Sequence, residues 1–295
     1  GEGRTLKLRD FEKDFIRDIY GDERRGKRVV RRAILSMARK NGKSFLTAAL
    51  ALTHLVGPER INNGEIYSAA TERDQAAIIY KYASQIIRGT PGLENHVKML
   101  DSTKTIIGLD TMSVYRAISA EAGSKYGFNP TVVIYDELAQ AKNRELYDAL
   151  DTSMGAREEP LMVIISTQSN DPQHILSQLI DDGLSKRDKS IICHLYDVPD
   201  DIPDEQVFED EEVWKLANPA LGDFRSLEEM RLAADRARRM PSFEPAFRNL
   251  YLNQRVDAKS PLISRSEFMK LRDDIEIEEG EKIFVGLDLS AKSDL

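Results

Sequence analysis

The sequence predicts an α/β protein, a mainly parallel β-sheet flanked by helices, and three observations carry that prediction. "AILSMARKNGKSFLTAAL" (33–50) sets Gly42-Lys43-Ser44 between a short apolar run and an Ala/Leu-rich helical pattern. "VVIYDE" (132–137) is an apolar strand that ends on two carboxylates. Around them, apolar runs of strand length alternate with amphipathic runs of helix length, the pattern of parallel strands joined by helical crossovers.

Each element follows from its own residues. "LKLRDFEKDFIRDIYG" (6–21) places Leu8, Phe11, Phe15, Ile16 and Ile19 on one helical face. "VVRRAILSMA" is a strand entering the Gly42 loop, and "SFLTAALALTHLVG" is the helix leaving it, stopped by Gly57-Pro58. Strand "GEIYSAA" (64–70) and helix "ERDQAAIIYKYASQIIRG" (72–89) follow, and "TIIGLD" with "SVYRAIS" form a hairpin within 105–119. "PTVVIYDEL" (130–138) and "PLMVIISTQS" (160–169) are near-continuous apolar strands, the kind buried on both faces of a parallel sheet. Helix "ELYDALDTSMG" lies between them, and helix "HILSQLIDDGLS" leads to strand "SIICHLYDV" (190–198). Beyond the acidic run the pattern is helical in "VWKLANPAL", "SLEEMRLAADRARRM" (226–240) and "FEPAFRNLYLNQ", then β-like again in "KIFVGLDLS" (282–290). The expected division is a sheet domain over 1–200, an acidic linker and helical subdomain over 201–275, and the first strand of a further domain over 276–295.

Composition narrows the classes. With 295 residues, 31 % charged and 41 % hydrophobic, the chain has ordinary globular composition. No apolar run approaches the length that spans a bilayer, and "GEGRTLKLRD" does not read as a signal peptide. The lone Cys193 excludes an internal disulfide and a Cys-rich metal site, which fits a reducing, cytosolic setting. His54, His96, His174 and His194 share no ligand-type spacing. The net charge of −8 would argue against a nucleic-acid partner were it uniform, but it is local. Residues 1–196 carry 28 Lys/Arg against 26 Asp/Glu, whereas 197–295 carry 14 against 24. "DVPDDIPDEQVFEDEE" (197–212) alone holds nine acids, and "RRGKRVVRR" (24–32) is a basic cluster in the near-neutral part.

A phosphate-binding loop needs backbone N–H groups converging on one concavity, a lysine for the β/γ-phosphates and a hydroxyl for Mg²⁺. Gly42 permits the close approach, Lys43 is the phosphate lysine and Ser44 the Mg²⁺ ligand. Met37 stands where such a loop usually opens with glycine, and Ala38-Arg39-Lys40-Asn41 complete it. Asp136 would orient Mg²⁺ through its water shell, and Glu137 would polarise an attacking water. The pair sits at a strand's C-terminal end, where open parallel sheets place ligands. Arg39, four residues before Lys43, offers a guanidinium for the charge that develops in phosphoryl transfer. The expected fold is thus of the P-loop (RecA/ASCE-like) kind, with ATP and Mg²⁺ as cofactors.

"ARKNGKS", "ISAEAGSKYGFNPTVVIYDE", "GAREEPLMVIISTQS", "ANPALG", "RMPSFEPAFRNLYLNQRV" and "GLDLSAKSDL", in this order, resemble the large terminase subunit of tailed double-stranded DNA phages. The type is that of long-tailed temperate coliphages and related prophages, and the likeness spans essentially the whole chain. The resemblance implies a DNA-packaging motor: an N-terminal ATPase joined to a C-terminal RNase H-like nuclease. Its partners would be double-stranded DNA, a portal protein and procapsid, a small terminase subunit and further copies in a pentameric ring, in host cytoplasm during virion assembly and with no membrane. It implies that a missing first glycine is normal, that residues Ala38 to Ser44 contact nucleotide and that Arg39 is an in-loop finger. Asp136 and Glu137 correspond to the Walker B pair, and Ser166-Thr167-Gln168 to a coupling motif that senses the γ-phosphate. The family's adenine motif, an aromatic followed by Gln, corresponds to Phe11-Glu12, where the Gln is missing. For a finger acting in trans, Lys125, Arg116 and Arg157 stay open. DNA contacts are expected among Arg73, Arg88 and Lys104. The helix bearing Arg231, Arg236, Arg238 and Arg239 is either an interface or a DNA contact. Asp288 would be the first nuclease metal carboxylate, with Asp294 second. Because the chain stops at Leu295, the nuclease is expected to be all but missing and DNA cutting confined to a fuller protein.

Two other classes compete. A helicase-like P-loop motor would need a second RecA-like domain, and a small-molecule kinase a lid and acceptor site; no βα pattern after residue 200 supplies either. A nucleotide-binding docking subunit would not need Lys43, Ser44, Asp136 and Glu137 together.

Overall fold

Strand residues alternate between two faces, and here both faces are apolar, so the sheet must be covered twice. The computed structural model describes residues 7–120 and 127–256; Lys125, Asp288, Asp294 and the strand expected at 282–290 lie outside them. In chain order the elements are α1 (Asp10–Tyr20), β1 (Arg32–Ser36), α2 (Lys43–Leu55), β2 (Glu65–Ala70), α3 (Arg73–Gly89), β3 (Val97–Leu100), β4 (Thr105–Gly108) and β5 (Val114–Ser119). Then come β6 (Val132–Asp136), α4 (Glu145–Ser153), β7 (Leu161–Ser166), α5 (Ile175–Ser185), β8 (Ile191–Leu195), α6 (Asp204–Glu209), α7 (Glu211–Ala217), α8 (Leu227–Arg239) and α9 (Glu244–Leu252).

The sheet runs β8–β1–β7–β6–β2–β5–β4–β3. All neighbours from β8 to β5 are parallel, and β5, β4 and β3 form an antiparallel meander at one edge. Ala33, Leu35, Val132, Ile134, Leu161, Val163 and Ile165 pack on the face covered by α1, α2 and α3. Ile34, Val133, Tyr135, Met162 and Ile164 pack on the other, under α4 and α5. One strand, β7, separates β1 from β6, with Ile34 opposite Ile164 and Ile134 opposite Val163. That spacing puts Ser36, Ser166 and Asp136 side by side at the C-terminal edge.

The basic cluster of 24–32 forms a two-residue hairpin turn, Arg25-Gly26, with φ of 59° and 73°. Positive φ at both turn positions matches the right-handed twist of a tight hairpin. Lys27 pairs with Glu158 at 3.0 Å, Arg28 is buried against the carbonyls of Val30 and Glu159, and Arg32 pairs with Asp151 at 2.5 Å.

Helices α6 to α9 make a third core with Val207, Trp214, Met230, Ala234 and Phe247 at its centre. Trp214 donates its indole N–H to the Val207 carbonyl at 2.8 Å, so the acidic run is partly helical and anchored. Ala38 of the Gly42 loop belongs to this same core. The helical part is therefore a cap seated on the loop.

Candidate active site

The loop from Met37 to Gly42 leaves β1 and turns into α2. Lys40 and Gly42 both take left-handed conformations, at φ 64° and 84°. The first-turn amides of a helix have no intrahelical acceptor, so those of Lys43 and Ser44 face the concavity as anion donors. Lys43 is buried and its ammonium donates to the carbonyls of Met37 at 2.7 Å and Ala38 at 3.1 Å. Burial lowers its pKa, and the charges of Glu137 and Asp136 oppose that shift. Two neutral carbonyls are weak company for a buried ammonium, and an incoming phosphate oxygen would displace them readily.

Cap residues hold the loop from behind. The Ala38 amide donates to the Ala217 carbonyl at 3.2 Å, and the Arg39 amide to Leu250 at 3.0 Å. Asn41 donates to Ala38 O at 3.1 Å and to Asn218 Oδ1 at 2.9 Å, while its own Oδ1 accepts from the Ala220 amide at 3.2 Å. Arg225 donates to the Arg39 carbonyl, and Lys40 pairs with Glu229 at 3.6 Å. Ala38, Lys40 and Asn41 therefore serve to shape the loop. The Arg39 guanidinium is exposed, and it lies near enough to Lys43 to lower that lysine's pKa.

Opposite the loop, Asp136 is buried at the end of β6, and Gln75 of α3 donates to its Oδ2 at 3.0 Å. Burial, with the neighbouring Glu137 charge second, pushes its pKa up to about 7. Glu137 sits at φ 51°, a left-handed conformation that costs a non-glycine residue about 1–2 kcal/mol. Strain of this kind is kept where it re-aims a side chain. The carboxylate is turned toward β7, accepting from Ser166 Oγ and the Thr167 amide, each at 3.4 Å. Glu137 and the Ser166-Thr167 strand end are thus in direct contact.

Gln168 points elsewhere. Its side-chain amide donates to Asp197 Oδ2 at 3.1 Å and to the Asn253 carbonyl at 2.6 Å, and its Oε1 accepts from Arg255 at 2.7 Å. It joins the sheet to the end of the cap. Phe11 is also away from the loop: only 9 % exposed, it packs edge-on against Tyr196. Neither residue offers a free group to a nucleotide.

Other expected residues separate from this site. Arg157 donates to the carbonyls of Asn129 and Asn63, at the N-terminal edge of the sheet. Arg88 pairs with Asp101 at 3.4 Å, and Lys104 lies over the Tyr80 ring, whereas Arg73 and Arg116 are exposed. On α8, Arg231 and Arg238 pair with Glu211 and Glu209, and Arg236 covers Phe243. That favours a packing role for the helix. Sequence reasoning gave no role to Gln75, Asn218, Arg225 or Asn253, although Asn218 stands in "ANPALG" and Asn253 in "RNLYLNQRV".

The donor set suits Mg²⁺: a serine hydroxyl and a buried carboxylate are hard oxygen ligands, too few to hold the ion without a phosphate. Among the described residues no group of three or more His, Cys, Asp or Glu gathers, so no all-protein metal cage competes.

Comparison with known proteins gives one consistent result. The family model for the terminase large subunit, ATPase domain, matches residues 10–183, and that for the terminase large subunit, endonuclease domain, matches 186–295. The large terminase subunit of Enterobacteria phage HK97 is 43 % identical over 295 residues, 99 % of this chain and 57 % of that protein. The crystal structure of the HK97 large terminase superposes with a TM-score of 0.80 at 44 % identity, over 90 % of this chain and 54 % of that one. The ATPase domain of the Thermus phage P74-26 large terminase shares the fold, with a TM-score of 0.56 at 16 % identity, over 85 % of this chain and all of that one. The chain spans a little over half the length of the HK97 relative. The endonuclease match does not support the expectation that the nuclease portion is all but missing: that family model begins at residue 186 and takes in the helical cap.

Proposed function

The chain belongs to the family of phage terminase large subunits, and on that premise we propose that it hydrolyses ATP between the Gly42 loop and the Asp136-Glu137 pair to drive double-stranded DNA into a procapsid. The observation that carries this reading is that the Lys43 loop, leaving β1, and the Asp136-Glu137 pair, ending β6, lie at the same C-terminal edge of the sheet, with both carboxylates near enough to act on the lysine's charge.

Each residue has a task that follows from its position. The amides of Gly42, Lys43 and Ser44 receive the β-phosphate, and Lys43 exchanges its two carbonyl partners for phosphate oxygens. Ser44 and Asp136 would hold Mg²⁺, which supplies charge neutralisation at the transferred phosphoryl group. Glu137 polarises the attacking water. Arg39, exposed and next to Lys43, stabilises charge on the γ-phosphoryl group as it leaves. Ser166 and Thr167 sense whether Glu137 is engaged with water or with them, and Gln168 passes the change to the cap through Asn253.

The larger assembly is part of the same reading: a pentameric ring on a portal, a small terminase subunit, and action in host cytoplasm. Among the described residues no helix is long and apolar enough to cross a membrane. We keep the division at 1–200, 201–275 and 276–295, with Asp288 as a nuclease metal ligand, as proposals of the same kind. The test is phosphate release by portal-assembled complexes with and without double-stranded DNA. DNA-stimulated turnover that collapses in Arg39→Ala, at unchanged ATP affinity, supports the in-loop finger. Turnover indifferent to DNA and to Arg39 sinks it.

A further inference from the structure

Phe11, the aromatic that the family resemblance points to for the base, has its ring packed against Tyr196 inside the core. A different aromatic stands at the loop. Phe224, in the turn between α7 and α8, comes so close to Gly42 that a Cβ on that glycine would lie 3.0 Å from its Cζ. The ring is nevertheless 44 % exposed. Arg9, just before α1, lays its guanidinium over the ring, 4.5 Å from the centroid, and is fixed there by Asp223 at 2.7 Å.

The turn that presents Phe224 is closed on itself. The Gly222 amide donates to Arg225 O at 3.0 Å, and the amides of Asp223 and Arg225 both donate to Ala220 O. Arg225 also binds the Arg39 carbonyl, so the turn and the phosphate loop are one unit. Phe224 thus stands partly exposed beside a glycine of the phosphate-binding loop, on a turn tied to that loop through Arg225. A nucleotide seated on the loop would carry a flat ring on which such an aromatic can stack.

Resting on the nucleotide reading above, we propose that Phe224 of the cap, backed by Arg9, is the platform on which the nucleotide base stacks. The cap then does more than brace the loop: it contacts the ligand, and base binding ties the cap to α1 across the mouth of the site. Stacking accepts any base through its π-face, which fits the absence of a Gln after Phe11.

The test is titration calorimetry with Mg²⁺, using adenylyl imidodiphosphate and inorganic tripolyphosphate as separate ligands. Phe224→Ala is expected to weaken the nucleotide by between about 5- and 150-fold, the range for loss of one base–aromatic stack. Tripolyphosphate, which has no base, is expected to bind unchanged, and Phe224→Tyr is expected to restore the nucleotide affinity to within about twofold. Equal weakening of both ligands would mean that the ring only supports the loop, and no weakening of either would mean that it does nothing for binding; each overturns the proposal. If the unaltered chain bound neither ligand, the nucleotide reading itself would fall.

Discussion

Asn253 is the joint through which the site reaches the cap, and removing its side chain gives a sharp test. It is fully buried at φ 55°. Its Oδ1 accepts from the Gln168 amide at 2.8 Å, and its Nδ2 donates to Ser36 Oγ at 3.0 Å and to the Tyr196 carbonyl at 2.9 Å. Asn253→Ala leaves two backbone groups, Gln168 N–H and Tyr196 C=O, without these partners, while the Ser36 hydroxyl is free to rotate. Each unsatisfied buried group costs about 1–3 kcal/mol. Alanine also tolerates the left-handed conformation less well than asparagine, by about 1 kcal/mol. The sum is a loss of about 3–7 kcal/mol, read by equilibrium urea unfolding. Asn253→Gly removes the backbone strain but not the lost bonds, and is expected to recover about 1 kcal/mol of that loss. Combined with Gln168→Ala, the two losses should be less than additive, because each side chain bonds the other residue's backbone. A loss below about 1 kcal/mol, or strict additivity with Gln168→Ala, would refute the claim that these residues form one buried network.

Two further predictions follow from single positions. Gly42→Ala puts a Cβ on a residue at φ 84°, which strains the loop, and 3.0 Å from Phe224 Cζ, which must give way by a few tenths of an ångström; nucleotide affinity in calorimetry is expected to fall at least about tenfold while the fold, by circular dichroism, persists. His54 is buried beside the Tyr20 hydroxyl at 2.8 Å, and burial holds its pKa down at about 4 against an ordinary 6.5. Between those values the unfolded chain binds the proton and the folded one does not, so stability is lost as pH falls through that window. The loss from pH 7.5 to 5 is about 2 kcal/mol, and His54→Phe should flatten that part of a urea-midpoint profile; an unchanged profile would remove His54 as its cause.

The alternation of apolar strands and amphipathic helices was enough to predict the sheet, and Lys43, Asp136 and Glu137 stand in two short motifs readable in the sequence, though their partners in the structure were not. What escaped was short or distant. β3 is only Val97–Leu100, with a charged Lys98 in its middle, too short to show a period of its own. α6 hides within nine acids; Asp204 and Glu205 favour its first turn, and one buried residue, Val207, anchors it. The cap's grip on the loop joins Asn41 to Asn218, 177 positions apart, and no local pattern encodes that meeting. Phe11 shows the limit of motif transfer: the residue type is right for a base platform, but its helical face turns it into the core with Phe15 and Ile19.

The central claim is that Glu137, at the mouth of this loop, polarises water for ATP cleavage. Its most direct measurement is phosphate release from Mg·ATP by the unaltered chain and by Glu137→Ala, in portal-assembled complexes, with nucleotide binding measured in parallel. The account predicts a Mg²⁺-dependent rate that falls at least about 100-fold in the variant while ATP still binds. Phosphate release that survives Glu137→Ala at a comparable rate would contradict it.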